Sequence, residues 1–69
     1  MTTFKVTAWN EYSTKPENSR KVITHEIEAK NVTEALDNAQ VLAAGWNREE
    51  TRENMKVNFL TCEGYIRNA

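Results

Sequence analysis

With 69 residues the chain has room for one small domain, and a chain near this length buries only about 60% of the surface that its unfolded form exposes. Hydrophobic residues make up 39% and charged residues 28%, a globular balance with a thin core. Nine Lys and Arg against ten Asp and Glu leave a formal charge of -1, so there is no positive field to gather a nucleic-acid backbone, and nucleic acid is disfavoured as a partner.

Phe4, Val6 and Ala8 alternate with Lys5, Thr7 and Trp9, and this period of two predicts a half-buried strand over residues 3–10. Residues 1–20 hold Lys5, Glu11, Lys15 and Glu17 without an apolar run, so neither a signal peptide nor a membrane span is expected there. The following stretch, EYSTKPENSR, gathers Ser, Asn, charges and the lone proline, Pro16, without periodicity. It reads as a solvated connection between two antiparallel strands. Alternation returns over residues 21–29, with Ile23, His25, Ile27 and Ala29 on one face and Val22, Thr24, Glu26 and Glu28 on the other.

Asn31 can cap the amides that open a helix, with Glu34 three residues later as in a capping box. Val32, Ala35, Leu36, Ala39, Leu42 and Ala43 then follow helical spacing, which predicts a stripe packed on a sheet. Gly45 reads as the helix stop, and Trp46 extends the stripe over the end of the core. NREETRENM is compatible with one helical turn capped by Asn47 or with a loop, and its mixed charges neutralise one another. Met55, Val57, Phe59 and Thr61 alternate with Lys56, Asn58, Leu60 and Cys62, predicting a third strand. EGYIRNA reads as a loosely docked tail.

The order β-β-α-β predicts a single α+β domain over residues 1–69, with a three-stranded antiparallel sheet in spatial order 2-1-3 and one helix on one face. One helix covers one side, so the other side is left to solvent or to a partner. Alternation assigns Trp9, Glu26, Glu28, Lys56 and Leu60 to that open side, and these five are the candidate partner-binding residues.

No catalytic, metal or cofactor motif stands out. His25 and Cys62 would make a thiol and imidazole pair, but alternation sends His25 to the helix side and Cys62 to the open side. One His and one Cys fall short of the ligands that zinc needs. A sole cysteine excludes an internal disulfide and suits a reducing, cytoplasmic setting. Asn31-Val32-Thr33 matches a glycosylation sequon, which means little without secretion. These residues point away from an enzyme and toward a binding module. An RNA binder stacking bases on Trp9 stays open, weakened by Glu26 and Glu28 on the same face, and so does a bacterial regulatory or antitoxin-like module.

The run Ala29-Lys30-Asn31-Val32-Thr33-Glu34-Ala35-Leu36-Asp37-Asn38-Ala39 resembles the strand-to-helix passage of the small RNA polymerase inhibitors made by short-tailed phages of enteric bacteria. There, too, an alanine ends the second strand and a Glu-Ala-Leu triplet opens the helix. The resemblance extends to a Phe-led first strand and a cysteine near the end of the last one, over about half the chain. It implies a phage-encoded protein that disables a host protein such as RNA polymerase in the host cytoplasm. The paired third-strand arginines with which that family holds the polymerase have no counterpart, because Asn58, Phe59, Leu60 and Thr61 occupy the region.

Overall fold

The computed structural model describes residues 1–11 and 19–69; the expected connection between the first two strands lies largely outside the described residues. In chain order the elements are β1 (Thr2–Asn10), β2 (Arg20–Ala29), α1 (Val32–Glu49), a 3₁₀ turn (Glu53–Met55), β3 (Phe59–Cys62) and β4 (Tyr65–Asn68). The protein is α+β, and its sheet has four strands in the order β2-β1-β3-β4, every neighbouring pair antiparallel. The expected 2-1-3 arrangement is contained in this order, but the expected three-stranded sheet is one strand short.

Alternation in β1 sends Phe4, Val6, Ala8 and Asn10 into the interior while Lys5 is exposed. In β2, Ile27 pairs with Phe4, His25 with Val6 and Ile23 with Ala8, which puts all six on the helix side. The register then shifts between Ala8 and Trp9, which pairs with Lys21, and Val22 is the extra residue of the bulge. Val22 consequently packs partly against the core instead of standing on the open side as alternation predicts.

Asn31 caps α1, its side chain accepting a 2.9 Å bond from the Glu34 N–H. Ala35, Leu36, Ala39 and Ala43 are buried against the sheet. Leu42, expected in that stripe, is 48% exposed because it stands at the stripe's margin. Nor does Gly45 end the helix, which runs on to Glu49. The extra turn is held from outside: Trp46 Nε1 donates to the Met55 carbonyl at 3.0 Å, and the Asn47 amide bonds both the N–H and the C=O of Val57 at 2.7 and 2.9 Å. Asn47 thereby stands in for a neighbouring strand where the chain runs up to β3.

Expected alternation fails between Val57 and Leu60. Val57 is buried, yet Leu60 and Cys62 are buried too, and Phe59 and Thr61 turn outward. Pairing of Ala8 with Leu60 and Trp9 with Phe59 sets this register. A slip of one residue moves a strand's whole side-chain set to the other face. Burying Leu60 completely, beside Val6, decides which register wins.

The expected tail is a strand because Glu63 and Gly64 make a two-residue turn, with φ of 49° and 83°. Positive φ at both central positions is the geometry of a tight hairpin, and glycine reaches it without strain. Arg67 on β4 then pairs with Asp37 of α1 at 2.6 Å and donates to Gln40 at 3.2 Å, while Gln40 Nε2 donates to the Asn68 carbonyl at 3.0 Å. These bonds fasten β4 to the helix. Among the described residues no helix is long and apolar enough to cross a membrane.

Candidate docking surface

The side of the sheet away from α1 is built outward from Trp9. Its ring lies parallel to that of its cross-strand partner Phe59, with centroids 6.1 Å apart and planes 8° from parallel. Trp9 Nε1 donates to Thr61 Oγ1 at 2.8 Å, so the indole is fixed at its polar edge as well as by the stack. Such an aromatic pair contributes about 0.5–1.5 kcal/mol beyond its burial, and the hydrogen bond a further ~1 kcal/mol. Ile66 stands opposite Thr61 on β4 and is 71% exposed. Trp9, Ser19, Phe59, Thr61 and Ile66 line a shallow hollow of about 280 Å³.

Two further hollows continue from this one. Phe59 and Ile66 also border a hollow of about 230 Å³ whose other walls are Glu11, Asn58 and Asn68. Glu11 and Asn58 in turn border one of about 430 Å³ that takes in Asn10, Glu53 and Asn54. The last is shaped by hydrogen bonds. Buried Asn10 donates through Nδ2 to the carbonyls of Glu53 and Lys56 at 3.0 and 2.7 Å, and Asn58 Oδ1 accepts from the Glu11 N–H at 2.7 Å.

Of the five residues that alternation assigns to the open side, Trp9, Glu26 and Glu28 stand there. Leu60 does not: fully buried among the core residues, it is unavailable to a partner. Lys56 precedes β3 and pairs with Glu53 at 3.3 Å, off the strand that would have aimed it outward. Nor do the five form one cluster. Glu26 pairs with Lys5 and Glu28 with Thr3, so Glu28 sits six residues along β1 from Trp9, about 20 Å away at the rise of a strand.

Phe59 and Ile66 are the functional candidates that alternation misses. Two signals bear on them: a Glu-Gly turn followed by Tyr-Ile, which suits a hairpin, and the cost of leaving Leu60 wet.

Cys62, placed by alternation on the open side, is buried on the helix side. Burial pushes its thiol pKa up, with a smaller push from the Glu63 carboxylate, so it is a poor nucleophile. His25 is on the helix side as expected, with β1 lying between its strand and that of Cys62. Past the end of α1, hydrogen bonds from the Arg52 side chain and backbone hold the Glu50 carboxyl down to about 2. That pair orders the turn after the helix, well away from Trp9 in the sequence. Among the described residues, no group of three or more His, Cys, Asp or Glu could hold a metal ion.

No protein-family model matches this chain, and no curated protein or solved structure matches it either.

Proposed function

We propose that this protein is a small non-enzymatic binding module that docks on another protein through the Trp9, Phe59 and Ile66 patch and acts by covering a functional surface of its partner. The observation behind this reading is the patch itself: two rings fixed in place by stacking and a hydrogen bond, beside an isoleucine that is 71% exposed, on a face that no element covers among the described residues. A fixed aromatic anchor binds with little loss of side-chain entropy, and such anchors dominate interface energies. The sheet edges suit docking less well. β2 carries a bulge and the charges of Lys21, Glu26 and Glu28, and β4 is four residues long with its Asn68 carbonyl already taken by Gln40.

The resemblance of residues 29–39 to phage inhibitors of RNA polymerase gives the reading its most specific form, in which the partner is a host protein such as that polymerase, met in the host cytoplasm. The non-enzymatic part is supported by the buried thiol of Cys62 and by its separation from His25.

The test is capture from bacterial lysate, followed by titration of purified bacterial RNA polymerase, with wild type, Trp9→Ala and Phe59→Ala. Each variant is first shown by circular dichroism to be folded at the assay temperature. Loss of a central aromatic anchor costs about 2 kcal/mol or more, so affinity should fall roughly thirtyfold. Equal retention of the partner by all three proteins would remove the patch from the interface. Salt-sensitive binding of an oligonucleotide that depends on Trp9 would replace this reading with RNA recognition.

A further inference from the structure

The sign of the charge changes across the aromatic patch. On one side Lys21 stands directly across from Trp9 on β2. On the other, past Phe59 and Ile66, the adjoining hollows bring in the carboxylates of Glu11 and Glu53 and the amides of Asn54 and Asn58. The apolar hollow and the next one share two walls, Phe59 and Ile66, so their occupants would be neighbours on one short segment. Lys56 at 3.3 Å offsets part of the Glu53 charge. Glu11 is exposed, and no cation is seen within ion-pairing distance of it among the described residues. Residues 12–18, outside the described residues, contain one Lys and one Glu.

Resting on the docking role proposed above, we infer that the partner's docking segment carries a large apolar side chain next to an arginine or lysine. The apolar group occupies the hollow lined by Trp9, Phe59 and Ile66. The cation lies beyond Phe59, against the Glu11 carboxylate and the Asn58 amide. Lys21 fixes the direction, because a segment laid the other way would bring its cation against a like charge and leave Glu11 unanswered. An extended segment puts residues i and i+2 on one side about 7 Å apart, a step suited to adjoining hollows. Glu26 and Glu28 lie too far along the sheet to serve the same cation.

The test uses the whole chain labelled with ¹⁵N and two capped probe peptides, Gly-Leu-Gly-Arg-Gly and Gly-Leu-Gly-Glu-Gly, titrated at low and high salt. The arginine peptide should shift the Trp9 indole N–H and the Asn58 side-chain amide together. It should bind about fivefold more tightly than the glutamate peptide at low salt, the upper range for an exposed ion pair, with the margin shrinking as salt rises. Glu11→Lys should reverse that preference, and Glu11→Gln should erase it. Equal binding of the two peptides, preference for glutamate, no shift from either, or shifts from oligouridylate alone would each overturn the inference. Glu11→Lys in the lysate capture separates it from the docking role. If Trp9→Ala loses the partner while Glu11→Lys keeps it in full, the docking face stands and the basic segment falls.

Discussion

On the helix side of the sheet Phe4, Val6, Ala8 and Leu60 are at most 8% exposed, whereas on the other side Ile66 is 71% exposed and the rings of Trp9 and Phe59 are half-buried. β1 and β3 supply both sets, one residue out of step, and β4 adds Ile66 to the uncovered one. The covered face is lined by small and aliphatic side chains because α1 presses Ala35, Ala39 and Ala43 against it, which leaves little room for a ring beyond Phe4. The two rings kept off that side, Trp9 and Phe59, pack on each other. Their stack and the Trp9 bond to Thr61 make the uncovered face rigid without making it part of the main core. A thin domain can thus hold an apolar surface in a fixed shape while another set of residues supports the fold.

The largest effect on this division should come from Leu60→Ala. A large-to-small change at a fully buried site costs about 2–5 kcal/mol, and near this chain length each kcal/mol lowers the melting temperature by about 4–8 °C. The fall should therefore be at least about 8 °C by circular dichroism. An unchanged melting curve would return Leu60 to the open side, as simple alternation from Met55 requires, and would dissolve the contrast between the faces.

That residue also shows where the sequence stops being readable. Phe4, Val6 and Ala8 in β1, Ile23 to Ala29 in β2, and the Asn31 cap obey local rules, because each side chain's facing follows from its immediate neighbours. Trp9, Glu26 and Glu28 were legible for the same reason. The facing of β3 is not local: Ala8 and Trp9, some fifty residues earlier in the chain, select Leu60 and Phe59 as partners, and Asn47 holds Val57 in a way that interrupts the alternation. One shift of register moves Leu60 and Cys62 together, whereas Lys56 lies before β3, at the end of the 3₁₀ turn, where it pairs with Glu53. β4 was missed because Glu-Gly is a weaker turn signal than Asn-Gly, and four residues show too little periodicity to declare a strand.

Intermediate effects should come from the two glycines, where one substitution has opposite signs. Gly64 has φ of 83° and open space around the position of a Cβ, so Gly64→Ala meets backbone strain alone, about 1–2 kcal/mol. The hairpin that sets Ile66 on the uncovered face should loosen, seen as a lower melting temperature and faster amide exchange in β4. Gly45 lies inside α1 with nothing within 4 Å of a Cβ, so Gly45→Ala should stabilise by about 0.5–1 kcal/mol through helix propensity and a less flexible unfolded chain. A destabilised Gly45→Ala would mean that the helix stops at Gly45 and that the bonds from Trp46 and Asn47 do not hold the last turn.

The smallest effect on stability should come from the residue most exposed in the patch. Ile66 shares its face with Thr61 and lines the apolar hollow without belonging to the core. Ile66→Ser should therefore shift unfolding free energy by no more than about 0.5 kcal/mol, the usual range for a surface change. In the docking reading the same change removes a large part of the contact area between the two hollows, so partner affinity should drop at least about tenfold, or 1.4 kcal/mol. The pairing of a silent melting curve with a weakened complex is what distinguishes a docking face from a second, poorly covered core. Trp9→Ala cannot make that distinction alone, because it also removes a ring stack and a hydrogen bond within the fold. If Ile66→Ser instead lowers stability by more than about 1 kcal/mol, Ile66 is packed within the molecule, outside the range of a surface change. The rings beside it would then be supports of the sheet and not contacts for a partner.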